Sequence, residues 1–263
     1  MAVRLVVLRA LGLGDFLTAV PALRALARAY PEHERILLAP DALRPLVALL
    51  GDAAYEVADT VGVREPPREL PAVVPGADVA VNLHGRGPQS TALLRASGIA
   101  SDPDDLDLAA PSGPAPHPGA TVVHPGASAP ARRWPAERWA AVARAAPRPV
   151  VVTAGPGEEA LARAVARGGD AAVFAGDLRE LAALVAGAAR VLCADTGIAH
   201  LATALGTPSV VLFGPTSPAR WGPPAGRPQH RALWTGRHGD PNAATPDPGL
   251  LSLQPHDVLE AIA

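Results

Sequence analysis

With 263 residues, 49% of them hydrophobic and 18% charged, the chain can hold one large or two small domains and bury a sizeable core, so wholesale disorder is excluded. A formal net charge of -2 argues against a general nucleic-acid binder, and a single cysteine excludes an internal disulfide. The eight histidines are scattered without metal-ligand spacing and leave no zinc signature.

Val3 to Leu8 is an apolar run suited to a buried parallel strand. It leads into Gly12, Leu13, Gly14 and Asp15, after which Phe16, Leu17, Val20, Leu23, Leu26 and Ala27 recur at helical spacing. The two glycines let the backbone turn sharply near a ligand, but the third glycine of a dinucleotide fingerprint is missing, which makes a nicotinamide-dependent dehydrogenase a poor reading. Asp15 either caps the helix or presents a carboxylate at the carboxyl end of the first strand, where open α/β sheets bind ligands. Pro21 lies in the first helical turn or kinks the helix.

Arg35 to Ala39 reads as a second strand and Asp41 to Leu50 as a helix interrupted by Pro45; Tyr55 to Pro75 is proline-rich and resists assignment. Ala77 to Leu83 reads as a buried strand ending in a polar stretch, His84 to Ser90, with a short helix at Thr91 to Ser97. In that stretch Arg86 and Gln89 either reach a substrate or are simply solvated. The acidic, proline-rich run 101–119 reads as a linker between an N-terminal domain, 1–100, and a C-terminal domain, 120–263.

The second half alternates strands and helices. Strands are expected at Thr121 to His124, Val150 to Thr153, Ala171 to Phe174, Val191 to Ala194 and Ser209 to Phe213. Helices are expected from Pro135, after Glu159, from Leu178 behind an Asp177/Glu180 capping box, from Gly197 to Gly206, and at Pro255 to Ala263. Five strands alternating with helices indicate a doubly wound parallel sheet. The loops 214–228 and 236–249 either cover the ligand crevice or, for the second, stay mobile.

The most informative turn is Asp195, Thr196, Gly197. Asp195 or Thr196 can cap the following helix, whose first amides and positive dipole end suit a diphosphate, and His200 lies one turn further on. The plain alternative is that Asp195 is only a cap and His200 a surface histidine. Cys193 sits in the buried strand before this turn, as a small hydrophobe rather than a reactive thiol. No stretch reads as a membrane span or a signal peptide, so a cytoplasmic chain without a transmembrane segment is expected.

Several motifs in one order, GLGDFLTAVPALRAL at 12–26, LHGRGPQS at 83–90, HPGASAPARRWP at 124–135, AGPGEE at 154–159, DTGIAH at 195–200 and FGPTSPARWGP at 213–223, resemble glycosyltransferase family 9, which includes the ADP-heptose:lipopolysaccharide heptosyltransferases. The resemblance implies a GT-B-like α/β architecture of two facing Rossmann-like domains, here with a shortened N-terminal one, and inverting, metal-independent, cofactor-free transfer from a nucleotide-diphosphate sugar such as ADP-heptose. It places the general base on Asp15, a phosphate-binding cation on Arg132 and a ribose contact on Glu158 or Glu159. The donor turn falls on Asp195, Thr196, Gly197 and His200, with Ser128 on the donor side and Gly14, Arg86 and Gln89 on the acceptor side. Arginine supplies every basic residue of the chain, and at 132 it keeps the charge of the family's usual lysine while changing the geometry. The implied partners are a nucleotide sugar and a glycan or glycolipid acceptor, no nucleic acid, and a transient membrane-surface contact if the acceptor is lipid-linked. The competing reading is a catalytically degenerate protein that binds a nucleotide sugar without transferring it.

Overall fold

A computed structural model describes residues 3–60, 77–83 and 105–263. The chain divides into two units, Met1–Pro111 and Ser112–Ala263.

In the first unit, β1 (Arg4–Leu8), β2 (Glu34–Ala39), β3 (Glu56–Asp59) and β4 (Val79–Asn82) form a parallel sheet in the order β3-β2-β1-β4. Leu5, Val6, Val7, Ile36, Leu37 and Leu38 are buried, as expected of central parallel strands. Helix α1 (Leu13–Ala29) buries the stripe Phe16, Leu17, Val20, Leu23, Leu26 and Ala27. Pro21 lies in the helix interior, beyond the first turn, where its ring nitrogen cannot donate to the Leu17 carbonyl. The expected second helix is one short turn, α2 (Arg44–Val47), between two 3-10 segments, with Pro45 in its opening positions.

The reading of 77–83 as a buried strand needs correction: β4 is only half-buried, because Ala80 and Asn82 are exposed. The acidic run is tied to this unit over 105–109, since Asp105 takes Arg24 at 2.5 Å and Arg28 at 2.9 Å, and Leu108 is buried. Those two arginines hold the Asp105 carboxyl below the usual carboxylate range, against the opposing effect of its own partial burial, which is the largest single contribution.

The second unit carries β5 (Thr121–His124), α3 (Ala136–Ala145), β6 (Val150–Val152), α4 (Glu159–Gly169), β7 (Ala172–Val173), α5 (Leu178–Gly187), β8 (Arg190–Ala194), α6 (Gly197–Ala204), β9 (Ser209–Leu212), α7 (Pro218–Trp221), β10 (His230–Leu233), α8 (Pro248–Ser252) and α9 (Pro255–Ile262). Its strands are parallel in the order β10-β9-β8-β5-β6-β7. This is a Rossmann order, with the chain reversing direction across the sheet between β5 and β8. Six strands replace the five expected: β10 was missed because His230 and Arg231 break the apolar run that marks a buried strand, and its middle residues are exposed.

One core cluster joins Val123, Trp134, Trp139, Val152, Leu192, Val210, Leu250 and Val258. Trp134 and Trp139 meet edge to face at 4.9 Å, and the Trp134 indole N–H donates to the Leu253 carbonyl at 3.2 Å, which fastens the C-terminal helices to the sheet. Pro135 is the N-cap of α3 rather than its first residue. Helix α6 ends in a Schellman motif: Gly206 has φ +71°, its N–H donates to Thr203 O, and the Thr207 N–H donates to Ala202 O. The loops after β9 and β10 are held at the carboxyl end of the sheet, where the Gly239 N–H donates to Pro215 O, the Trp234 indole to Gly214 O, and the Asp247 N–H to Ala131 O.

The capping box read from sequence is complete. Glu180 N–H donates to Asp177 Oδ1 at 2.9 Å and Asp177 N–H donates to Glu180 Oε2 at 2.9 Å. Asp177→Ala should lower unfolding stability by about 1 kcal/mol, measured as a shift in the urea midpoint at unchanged slope.

Candidate functional site

In a sheet of this order ligands bind outside the carboxyl ends of the strands where the winding reverses. In the second unit that place lies beyond His124 of β5 and Ala194 of β8, the last residues of two strands paired in the sheet.

The loop after β5 is anchored at both sides of its 3-10 turn, Pro130–Arg132: Ala131 and Trp134 are buried, and the Arg133 Nε donates to Ala127 O at 2.8 Å. From this turn Arg132 crosses to the end of β8. Its Nη1 donates to the Asp195 carbonyl at 3.0 Å and lies 3.7 Å from the Asp195 carboxylate, while Nη2 donates to Ser128 Oγ at 2.7 Å. The Arg132 Nε is buried without a hydrogen-bond acceptor among the described residues. The guanidinium is thus fixed and only partly buried, with more N–H groups than protein oxygens bonded to it, which suits it to an incoming anion.

Asp195 does not cap α6. Thr196 occupies the N-cap position and its side chain makes no capping bond, and the Asp195 carboxylate lies 3.7 Å from Arg132 Nη1. Burial holds the Asp195 carboxyl above the usual carboxylate range, and the Arg132 charge offsets only part of that rise. Thr196 and Gly197 are half-buried at the opening of α6, whose first amides lack intrahelical acceptors by helix geometry. His200 sits on the next turn; burial, and secondarily the Arg132 charge, push its pKa down to about 4. It is therefore neutral at pH 7 and half-buried rather than a surface histidine.

On the other side of β5, Glu158 turns inward. Its Oε2 accepts the Gly155 N–H at 3.0 Å and lies 3.7 Å from His124 Nε2. Gly126 makes room for it, since a Cβ there would fall 1.8 Å from Glu158 Oε2. Glu159 is exposed and accepts the Gly157 N–H at 3.1 Å, so the two adjacent glutamates are separated by structure. His124, unmarked in the sequence reading beyond its place at a strand end, has Nδ1 3.0 Å from Thr153 Oγ1 and is held neutral by burial, against the raising effect of Glu158.

Asp15 lies in the first turn of α1, where Gly12 is the N-cap; it is not the cap. The carboxylate is exposed, 3.6 Å from the buried Arg9 guanidinium, and Gly14 beside it is half-buried. Arg9 was passed over in the sequence because a charge after a buried strand reads as the strand's end. Arg86 and Gln89 lie outside the described residues. The Cys193 thiol is buried and pushed far above its ordinary value by burial and then by Asp195, which leaves it unreactive.

The depressed pKa of His200 makes stability depend on pH with a definite sign. The unfolded chain takes up the proton near the ordinary value of 6.5 and the folded chain only near 4, so the contribution is complete above 6.5 and is lost as pH falls toward 4. His200→Gln should flatten that loss by up to about 3 kcal/mol, read from urea unfolding at pH 7, 5.5 and 4.

Among known proteins, the chain is 43% identical over 65 residues to lipopolysaccharide heptosyltransferase 1 of Salmonella typhimurium; the match spans 24% of this chain and only 20% of that protein. Its fold is similar to that of E. coli ADP-heptose lps heptosyltransferase II, with TM-score 0.75 and 18% identity over 98% of this chain and 97% of the other. It is likewise similar to the family 9 glycosyl transferase from Veillonella parvula DSM 2008, with TM-score 0.80 and 18% identity over 99% and 96%. A third similar structure is E. coli heptosyltransferase WaaC with ADP-2-deoxy-2-fluoro heptose, with TM-score 0.66 and 17% identity over 99% and 100%. These likenesses establish two Rossmann-like sheets of GT-B type. The model of glycosyltransferase family 9 (heptosyltransferase) matches residues 78–245, more than half of the chain, and so this chain belongs to glycosyltransferase family 9.

Proposed function

We propose that the chain is an inverting, metal-independent glycosyltransferase that moves a sugar from a nucleotide-diphosphate donor, with ADP-heptose the first candidate, to a hydroxyl of a glycan or glycolipid. The observation that carries this reading is Arg132 laid from the β5 loop onto Asp195 at the opening of α6, a fixed cation beside helix amides at a Rossmann switch point. The names of the similar proteins, heptosyltransferases of lipopolysaccharide and one holding an ADP-heptose analogue, support the donor and the kind of acceptor.

In this reading the acceptor hydroxyl gives its proton to Asp15 and its oxygen attacks the anomeric carbon. The bond from that carbon to the diphosphate breaks on the opposite face, which inverts the configuration. The departing diphosphate gains negative charge, which Arg132, the Thr196 and Gly197 amides and a neutral His200 N–H stabilise. A guanidinium supplies the countercharge that other transferases take from a divalent cation, so the step needs no metal. Glu158, half-buried over Gly126, is assigned the ribose hydroxyls, and Ser128 holds Arg132 in place. Among the described residues no helix is long and apolar enough to cross a membrane; we assign the chain to the cytoplasmic side, where it meets a lipid-linked acceptor only transiently.

The central test is Asp15→Asn. ADP release from ADP-heptose in the presence of glycan acceptors should fall by about 10²- to 10⁴-fold, with ADP-heptose affinity by calorimetry nearly unchanged and the wild-type rate insensitive to EDTA. Normal turnover by this variant would sink the base assignment, and donor binding by a wild type that transfers to no acceptor would favour a degenerate binding protein. A second test separates the glutamates. Gly126→Ala should displace Glu158 and weaken ADP binding by about 10-fold or more, whereas Glu159→Ala should leave it within two-fold.

A further inference from the structure

We propose that Arg9 is the positioning residue of the acceptor-side base, its buried guanidinium locking Asp15 and the end of β4 into one arrangement; the inference rests on the reading of Asp15 as that base. Arg9 follows β1, whose neighbours β2 and β4 mark the reversal of winding in the first sheet. Its side chain is 1% exposed. Removing a guanidinium from water is costly unless its N–H groups are met, and here they are met at the site itself. Nε donates to the Asp15 carbonyl at 2.9 Å, Nη1 to the Leu83 carbonyl at 2.6 Å, and Nη2 to Thr18 Oγ1 at 3.4 Å. The same Nη2 lies 3.6 Å from Asp15 Oδ1. Thr18 closes the arrangement by donating its hydroxyl to the Asp15 carbonyl at 3.0 Å.

One planar fork therefore grips the backbone of Asp15, pairs with its carboxylate and ties both to the strand across the switch point. The Asp15 side chain is half exposed, and Arg9 is its one ion-pair partner among the described residues. A core-filling role would need only the aliphatic stem. The fork is what a proton acceptor requires, since a base displaced by about an ångström loses a large part of its rate while substrate binding elsewhere is untouched. Lysine cannot reproduce it, because one ammonium does not span two carbonyls and a carboxylate in fixed directions.

The test compares Arg9→Lys, Arg9→Met and Asp15→Asn in the full chain, using ADP release from ADP-heptose with a lipopolysaccharide core oligosaccharide as acceptor. ADP-heptose affinity by calorimetry and thermal melting are followed alongside. Arg9→Lys should lower kcat by about 10- to 100-fold with donor affinity within two-fold of wild type and a cooperative melt, and Arg9→Met should fall lower still. If Arg9→Met does not fold, Arg9→Lys decides alone. An unchanged kcat in Arg9→Lys, or a parallel loss of donor affinity, overturns the positioning role. If Asp15→Asn is inactive while Arg9→Lys is normal, only this inference fails. If Asp15→Asn is itself active, or the wild type releases no ADP with any acceptor, the reading of Asp15 fails and takes the inference with it.

Discussion

The second unit depends on the contact between Arg132 and Asp195. A guanidinium from the loop after β5 donates to the carbonyl that closes β8, and so joins the two strand ends at which the sheet reverses its winding. Everything around it is arranged to permit this. The loop is braced by buried Ala131 and Trp134, the Asp247 amide reaches Ala131 O from the segment before α8, and Ser128 takes the second arm of the fork. Because Asp195 answers Arg132, it leaves the amides of α6 uncapped by any side chain. The same pairing that keeps a buried carboxylate tolerable thus leaves a helix terminus open toward the crevice.

The first unit repeats the device with different consequences. There too a guanidinium sits at the carboxyl end of the sheet where the order reverses, but Arg9 is buried and its donors are met by Asp15, Leu83 and Thr18. Arg132 keeps a share of exposure and an unmet Nε. A cation with donors to spare attracts an anion, whereas a cation with its donors engaged shapes its neighbours. One residue type therefore keeps donors to spare in one sheet and has them engaged by its neighbours in the other, and burial decides which.

Around β5 the charge balance is set by desolvation. His124 and His200 are both held neutral by burial, and Glu158 lies between the glycine amide of Gly155 and the imidazole of His124 over a residue without a side chain. The formal charges near the switch point then reduce to the Arg132 cation and the Asp195 and Glu158 carboxyls.

The sequence by itself determined the periodic features. Apolar runs gave β1, β2, β5, β6, β8 and β9, helical spacing gave α1 and the capping box gave α5, because burial on one face imposes a repeat that composition cannot hide. The turn residues 195–197 and the glycine turn before Asp15 were legible for the same reason: a strand ending in glycine and a small polar residue is a local pattern. Tertiary structure decided whatever depends on a partner far along the chain. β10 lacks a full apolar repeat, so pairing and not pattern makes it a strand, whereas β4 is legible as a strand and only its half-exposure is not. Asp195 looks like a helix cap in sequence, but a guanidinium 63 positions earlier draws its carboxylate, whereas Asp15 falls inside the first turn of α1 behind the Gly12 cap and pairs with Arg9, only six positions before it. Glu158 parts from Glu159 only because Gly126, 32 positions earlier, leaves a space that a single methyl group would close.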